Sequence, residues 1–356
     1  MLVCRRWNLI ATPFLYEHIR LNEIRFARQL LDTLLSQAGE RLGPLILRLD
    51  LVGDGIRWGI DQSRSESLTA TDEWPIAPRI CIKCPNLVTL VTESEGTGEP
   101  LIVEILPPTL RHICFSSSFK HPLKSWLDFL DKHPALESID PPQLAQESFH
   151  GVPIEEGKQR PSVKQLTVNG PISMHDWSLA FPRGSFPNLQ HLIIRSPIEP
   201  RDARIFSKFL VLHGRNVETI LLTGCDPRPD ALAIPAVLFP LLSKVCPKLN
   251  RLVWSVVEVS IRDVWKIREL PVNHPQLPNV TIFEVEFEEH PSCIIVDLLY
   301  QWVRCLPHVR KIILSEADAD ALPPDDLQKF VPWVQSIGRD RGVEIVVVNE
   351  YDIPII

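Results

Sequence analysis

The chain has 356 residues, 45% of them apolar and 23% charged, with a formal net charge of −7. That length exceeds an ordinary single compact domain, so two domains or one elongated repeat array are expected, with enough apolar side chains to bury a core. The acidic balance argues against a sequence-independent grip on nucleic acid, and no apolar run reaches the length of a membrane-spanning helix.

Arg5, Arg6, Trp7 and Asn8 stand where a secretory signal would place apolar residues. Eight scattered cysteines suit reduced, buried thiols better than a disulfide framework, which points to the cytoplasm and/or nucleus. Residues 2–9 have the spacing of a short amphipathic helix. Thr12-Pro13 reads as a break, with Thr12 as N-cap and Pro13 opening a second turn that carries Leu15, Tyr16 and Ile19 on one face. Within 21–40, Phe26, Leu30, Leu31, Leu34 and Leu35 mark a helix expected to cap whatever array follows.

From 41 to 356 a motif of proline, any residue, then apolar residues three apart recurs. Pro85-Asn86-Leu87-Val88-Thr89-Leu90 and Pro187-Asn188-Leu189-Gln190-His191-Leu192 are two copies. The first apolar positions are Ile46, Leu87, Leu110, Leu136, Val163, Leu189, Val217, Leu249, Val280, Val309 and Val343; the copies at Val217 and Val343 lack the proline. After a first gap of 41 residues the spacing runs from 23 to 34, at or near the period of leucine-rich repeats. The first gap holds a polar stretch near 53–80, read as a surface loop. Alternation after each anchor predicts a short strand with one face buried, and the proline starts it as an extended segment. Amphipathic stretches at 124–130, 203–212, 294–303 and 327–334 have the spacing of helices that return the chain to the next strand. The expected architecture is therefore α/β, a curved solenoid with parallel strands on the concave face and helices outside. A doubly wound sheet is the alternative, but it calls for a glycine-rich phosphate loop that the sequence lacks.

Other constellations read as structural. Cys81-Ile82-Lys83-Cys84 has metal-ligand spacing but no second ligand pair nearby, and Cys84 fills the position before Pro85 as Cys246 does before Pro247. Glu284, Glu286 and Glu288 alternate along a strand and read as a solvated face. Asp318, Asp320, Asp325 and Asp326 lack the calcium-loop pattern. Trp254 is expected in the core, Trp58 and Trp74 on the surface. No assembled catalytic group, metal site or cofactor motif is present, so an enzyme is not expected.

The run Val3-Cys4-Arg5-Arg6-Trp7, continued by Ile10-Ala11-Thr12-Pro13-Phe14-Leu15-Tyr16, resembles the second half of an F-box. Together with the repeats, the chain resembles F-box/leucine-rich-repeat proteins of the basidiomycete fungal type. The resemblance implies a partial F-box over 1–20, with Val3, Cys4, Arg5, Trp7, Leu15 and Tyr16 as adaptor-docking or packing residues. It implies a substrate receptor of a cullin–RING ubiquitin ligase, docking on a Skp-type adaptor and holding an unknown protein substrate. The family's opening Leu-Pro helix has no counterpart before Met1. The chain is thus expected to be either a piece of a longer product or a free-standing binding scaffold without a ligase role.

Overall fold

In the computed structural model the described residues are 5–52, 76–92, 103–115, 120–144, 158–195, 203–225, 241–256, 277, 279–287, 306–316, 339 and 342–348. They fall into two compact units, Met1–Pro153 and Ile154–Ile356.

The first unit opens with α1 (Arg5–Glu17), which runs directly into β1 (His18–Leu21). Then come α2 (Ile24–Leu35), α3 (Gly39–Leu42), a 3₁₀ turn at Gly43–Leu45 and β2 (Arg48–Leu51). Further on are α4 (Ile76–Ile82), β3 (Thr89–Thr92), β4 (His112–Phe115), β5 (Lys120–His121), α5 (Leu123–Lys132), β6 (Ser138–Asp140) and β7 (Gln143–Leu144). Strands β1, β2, β3, β4 and β6 pair side by side in that order, all parallel, while β5 and β7 form a separate parallel pair.

The second unit contains β8 (Gln165–Asn169), α6 (Gly170–Ala180), β9 (His191–Arg195), α7 (Ala203–His213), a 3₁₀ turn at Gly214–Asn216 and β10 (Thr219–Cys225). It continues with β11 (Arg251–Val256), β12 (Ile282–Phe287), β13 (Lys311–Glu316) and β14 (Glu344–Val348). These strands also pair in chain order and are parallel throughout. In each unit the sheet grows at one edge, so the strand-order reversal of a doubly wound sheet does not occur among the described strands. The fold is α/β with an open parallel sheet, compatible with the expected solenoid.

The recurring proline has a more specific role than starting an extended segment. In ten copies, from Ile46 to Val309, the anchor's backbone N–H donates to the carbonyl three residues back, at 3.1–3.4 Å. This is a β-turn: in every one of these copies but that of Val217, which has Arg215 there, a proline stands at its second position, where a fixed φ and a missing N–H are both favourable. The anchor is the fourth residue and enters the core; Ile46, Leu87, Leu110, Leu189 and Val217 are fully buried and the other six anchors nearly so. In eight copies the residue after the anchor accepts through its carbonyl from two N–H groups of the next copy, as Leu47 does from Val88 and Thr89 at 2.8 and 3.0 Å.

The third turn position adds a second lock. Asn86 donates its side-chain amide to the Pro44 carbonyl at 2.9 Å, Asn188 to Pro161 at 2.8 Å, Asn216 to Pro187 at 2.6 Å and Asn279 to Pro247 at 2.8 Å. Each amide therefore ties its own turn to the turn one copy earlier. Thr109 does the same through its hydroxyl, bonding the Leu87 carbonyl at 2.8 Å. Adjacent turns also approach closely: a Cβ on Gly43 would lie 2.0 Å from the Lys83 carbonyl oxygen, so only glycine fits there.

Helices bury one face against the sheets. Helix α2 contributes Ala27, Leu30, Leu31 and Leu34, whereas Phe26 and Leu35 remain exposed. Helix α5 contributes Leu123, Trp126, Leu127, Phe129 and Leu130, with Trp126 stacked on Phe129 and edge-on to Phe115. In the second unit Trp177, Phe181, Phe186, Phe209 and His213 form a contiguous aromatic cluster.

Four expectations are corrected. Helix α1 continues through Pro13 without a break at Thr12, and Ile19 belongs to a strand. Pro13 removes one interior N–H bond, but pairing of β1 with β2 fixes where the helix must end. The sheet starts at His18, inside the F-box-like segment. The stretch near 53–80 ends in helix α4, which buries Ala77, Pro78, Ile80 and Cys81; residues 53–75 lie outside the described residues. The last copy is displaced by one residue: Gly342, at φ 66°, closes the turn by donating to Arg339, and Ile345 rather than Val346 pairs with Ile312. The expected helices at 294–303 and 327–334 also lie outside the described residues.

Candidate binding surfaces

Helix α1 is the first surface. Ile10 and Phe14 are one turn apart and 51% and 74% exposed, and Leu15 beside them is 71% exposed. Of the residues that the F-box resemblance marks, Leu15 is thus presented outward and Tyr16 is half-buried. Arg5 and Trp7 lie in the first turns of α1, their side chains outside the described set, as are Val3 and Cys4 altogether.

The strands form the second surface. Because they pair in register, every second residue falls into rows that cross the sheet. In the first unit one row is His18, Arg48, Thr89, His112 and Ser138, and the next is Arg20, Asp50, Val91, Cys114 and Asp140. Asp50 is buried between its neighbours: His18 Nε2 lies 2.8 Å from Asp50 Oδ2, and Arg48 donates from Nε to Oδ1 at 2.9 Å. Burial pushes the Asp50 carboxyl up, but the hydrogen bonds and charges of Arg48 and His18 outweigh this and hold it below the ordinary carboxylate value. Asp50 raises the Arg48 guanidinium in turn. Cys114 donates its thiol to Asp140 at 3.1 Å.

In the second unit the corresponding rows are Gln165, His191, Thr219, Arg251, Ile282, Lys311 and Glu344, and then Thr167, Ile193, Leu221, Val253, Glu284, Ile313 and Val346. Glu284 is buried and ion-paired with Arg251 on the adjacent strand. It is therefore not part of a solvated carboxylate face. The side chain of Glu286, and Glu288 entirely, lie outside the described set, as do the Trp254 side chain, Trp58, Trp74 and the four aspartates from 318 to 326. Cross-strand pairs such as His18–Asp50 and Arg251–Glu284 were not picked out from the sequence. Their signal is a basic and an acidic residue one repeat apart, the acidic one two positions further along its strand.

Cys81 and Cys84 are both buried, and burial raises both thiols, that of Cys84 to about 12. Cys84 donates to the Ile80 carbonyl at 3.3 Å and supplies the first residue of the turn before Pro85. Cys246 is likewise buried and raised to about 12 at the turn before Pro247. Protonated thiols packed in a turn are poor metal ligands. Among the described residues no group of three or more His, Cys, Asp or Glu is placed to hold a metal ion. No described helix is long and apolar enough to cross a membrane. The repeat anchors from Ile46 to Val343 are interior residues, so they set the scaffold and do not offer contacts.

No family model matches the chain, and a search of the curated proteins gives no match.

Proposed function

We propose that this chain is a protein-recognition subunit, a leucine-rich-repeat-like solenoid preceded by an F-box-like helix, acting as substrate receptor of a cullin–RING ubiquitin ligase. The observation that carries this reading is the outward apolar face of α1. Three large apolar side chains on one short helix are each half exposed or more, although α2 buries most of its own. Such a cluster has the character of an anchor for a partner. Its sequence is the one that resembles the F-box, so the partner is a Skp-type adaptor. The strand rows then serve the target.

A second reading has its own support. Helix α1 passes into β1 with no linker, and Leu47 N–H donates to the Glu17 carbonyl at 3.0 Å. A helix built into the sheet in this way also suits a free-standing scaffold. Retention of the chain on immobilised purified adaptor separates the two. Wild type is expected to bind and the Phe14→Asp/Leu15→Asp double variant to lose binding while keeping its urea midpoint. No binding by the wild-type chain sinks the ligase reading in favour of the scaffold.

A further inference from the structure

The helical side of the second unit carries a charge pattern that its folding does not require. Helix α7 buries Phe206, Phe209, Leu210 and His213 and turns Arg204, Lys208 and Val211 to solvent, spaced four and three residues apart on one face. Arg215, in the 3₁₀ turn that follows, is exposed as well. Helix α6 packs against α7 and exposes Leu179, with Arg183 exposed just beyond its end. Residues 241–246 pack at the end of α7, since a Cβ on Gly214 would meet Cys246 Sγ at 2.8 Å; Lys244 among them and Lys248 just after are exposed. Strands β8 to β11 pair in parallel and in chain order, so the segments that connect them lie in one layer.

None of these six cations has an ion-pair or hydrogen-bond partner among the described residues. Segments 170–183, 203–217 and 241–249 contain all six and a single carboxylate, Asp176, whose side chain lies outside the described set. Over 170–249 as a whole, strands and connections included, stand nine of the 37 lysines and arginines but only six of the 44 aspartates and glutamates. This stretch is therefore positive in a chain of net charge −7. Arg215 and Lys244 stand near helix C-terminal ends, where a cation is favourable. Arg204 stands in the first turn of α7, at the positive end of the helix, and Lys208 is a like charge one turn on; both placements oppose helix stability.

We infer that this face docks the protein on a membrane surface of anionic phospholipids, the lysines and arginines meeting headgroups while Leu179 and Val211 enter the interface. The cations are spread over three adjacent helical segments and do not line a groove, as a flat anionic surface requires. Leu179 and Val211, 39% and 53% exposed among them, match the boundary of headgroups and acyl chains and have no role against the phosphates of a nucleic acid. The inference depends on neither the adaptor nor the recognition role proposed above.

The test is cosedimentation of the full-length chain with phosphatidylcholine vesicles, with and without an equal part of phosphatidylserine. Binding is expected to the anionic vesicles only, and to weaken as salt is raised. Each cation near such a surface strengthens partition about fivefold, so Arg204→Ser/Lys208→Ser/Arg215→Ser should reduce it about a hundredfold. Arg20→Ser/Arg41→Ser/Lys132→Ser, the same change of charge in the first unit, should reduce it far less. Leu179→Ser/Val211→Ser should weaken binding at every salt concentration. If the first triple variant loses its circular dichroism signal, Lys208→Glu is read in its place, with an expected loss of about twentyfold. No binding to anionic vesicles overturns the inference, as does binding unchanged by the substitutions in α6 and α7, or an equal loss in the first-unit variant. Tighter retention on double-stranded DNA or on polyglutamate at the same salt also overturns it, in favour of a soluble polyanion.

Discussion

Replacing Thr92 with valine is expected to make the protein more stable, an uncommon direction for a core substitution. Thr92 ends β3, is 1% exposed, and its hydroxyl oxygen has no hydrogen-bond partner. In the ladder it sits between Leu51 and Phe115, both buried and apolar. An unpaired buried hydroxyl costs about 1–3 kcal/mol on the scale of protein mutations. Valine removes that cost and adds a methyl group, which contributes roughly 0.8 kcal/mol if it packs without strain. A gain of about 2–4 kcal/mol is therefore expected if both contributions are realised in full. With a urea slope of about 2 kcal/mol/M, the midpoint of the first unit should rise by roughly 1–2 M. Thr92→Ser keeps the hydroxyl and loses the methyl, so it should fall below wild type. The assay is equilibrium urea unfolding followed by circular dichroism. A valine variant at or below wild type would refute the reasoning, because the hydroxyl would then be satisfied in solution.

Asn216→Ala removes the amide that reaches the Pro187 carbonyl and should lower stability by about 0.5–1.5 kcal/mol in the same assay. Asn216→Asp should be worse than alanine at pH 7, since a carboxylate would face that carbonyl; equal losses would show that the amide bond contributes little. His213 packs between Phe186 and Phe209, and burial lowers its pKa to about 4, with the Phe181 backbone opposing. Its folded-state pKa lies below the unfolded value of about 6.5, so the unfolded chain takes up a proton that the native state refuses. Stability is then fully present above pH 6.5 and lost as pH falls toward 4, by about 2 kcal/mol at pH 5. His213→Leu should flatten that part of the pH profile relative to wild type, and an unchanged profile would count against a buried neutral imidazole.

The repeat was legible because nine of the eleven copies carry both a proline and an apolar anchor, and the burial of the anchors follows from that pattern. What the proline does was harder to read. A turn and an extended start both tolerate it, and only the bond from anchor N–H to the carbonyl three residues back decides for the turn. The asparagine after proline stands in plain view at Asn86, Asn188 and Asn279, but its partner is a carbonyl one repeat away, which no local window contains. Glu284 was misjudged for the same reason: along its strand it looks like one of three alternating carboxylates, and Arg251 lies on the neighbouring strand. In the last copy Val343, Ile345 and Val346 fit two registers equally well, and the positive φ of Gly342 selects one. Pro13 misled in the other direction, because a local helix signal was overridden by the fixed position of β1.

The turn stack has a consequence for how such a chain can change over time. Each asparagine amide reaches back a single turn, and each ladder bond joins only neighbouring strands. The geometry that must be reproduced therefore runs from the turn to the end of its strand. The chain from there to the next turn has no length to keep. Insertions and deletions can accumulate in those sleeves while the seam of turns stays in step, which is how spacings from 23 to 41 residues coexist with one register. Relatives of such a chain would drift beyond sequence recognition soonest in the sleeves, and the Pro-Asn seam would be the last trace to fade.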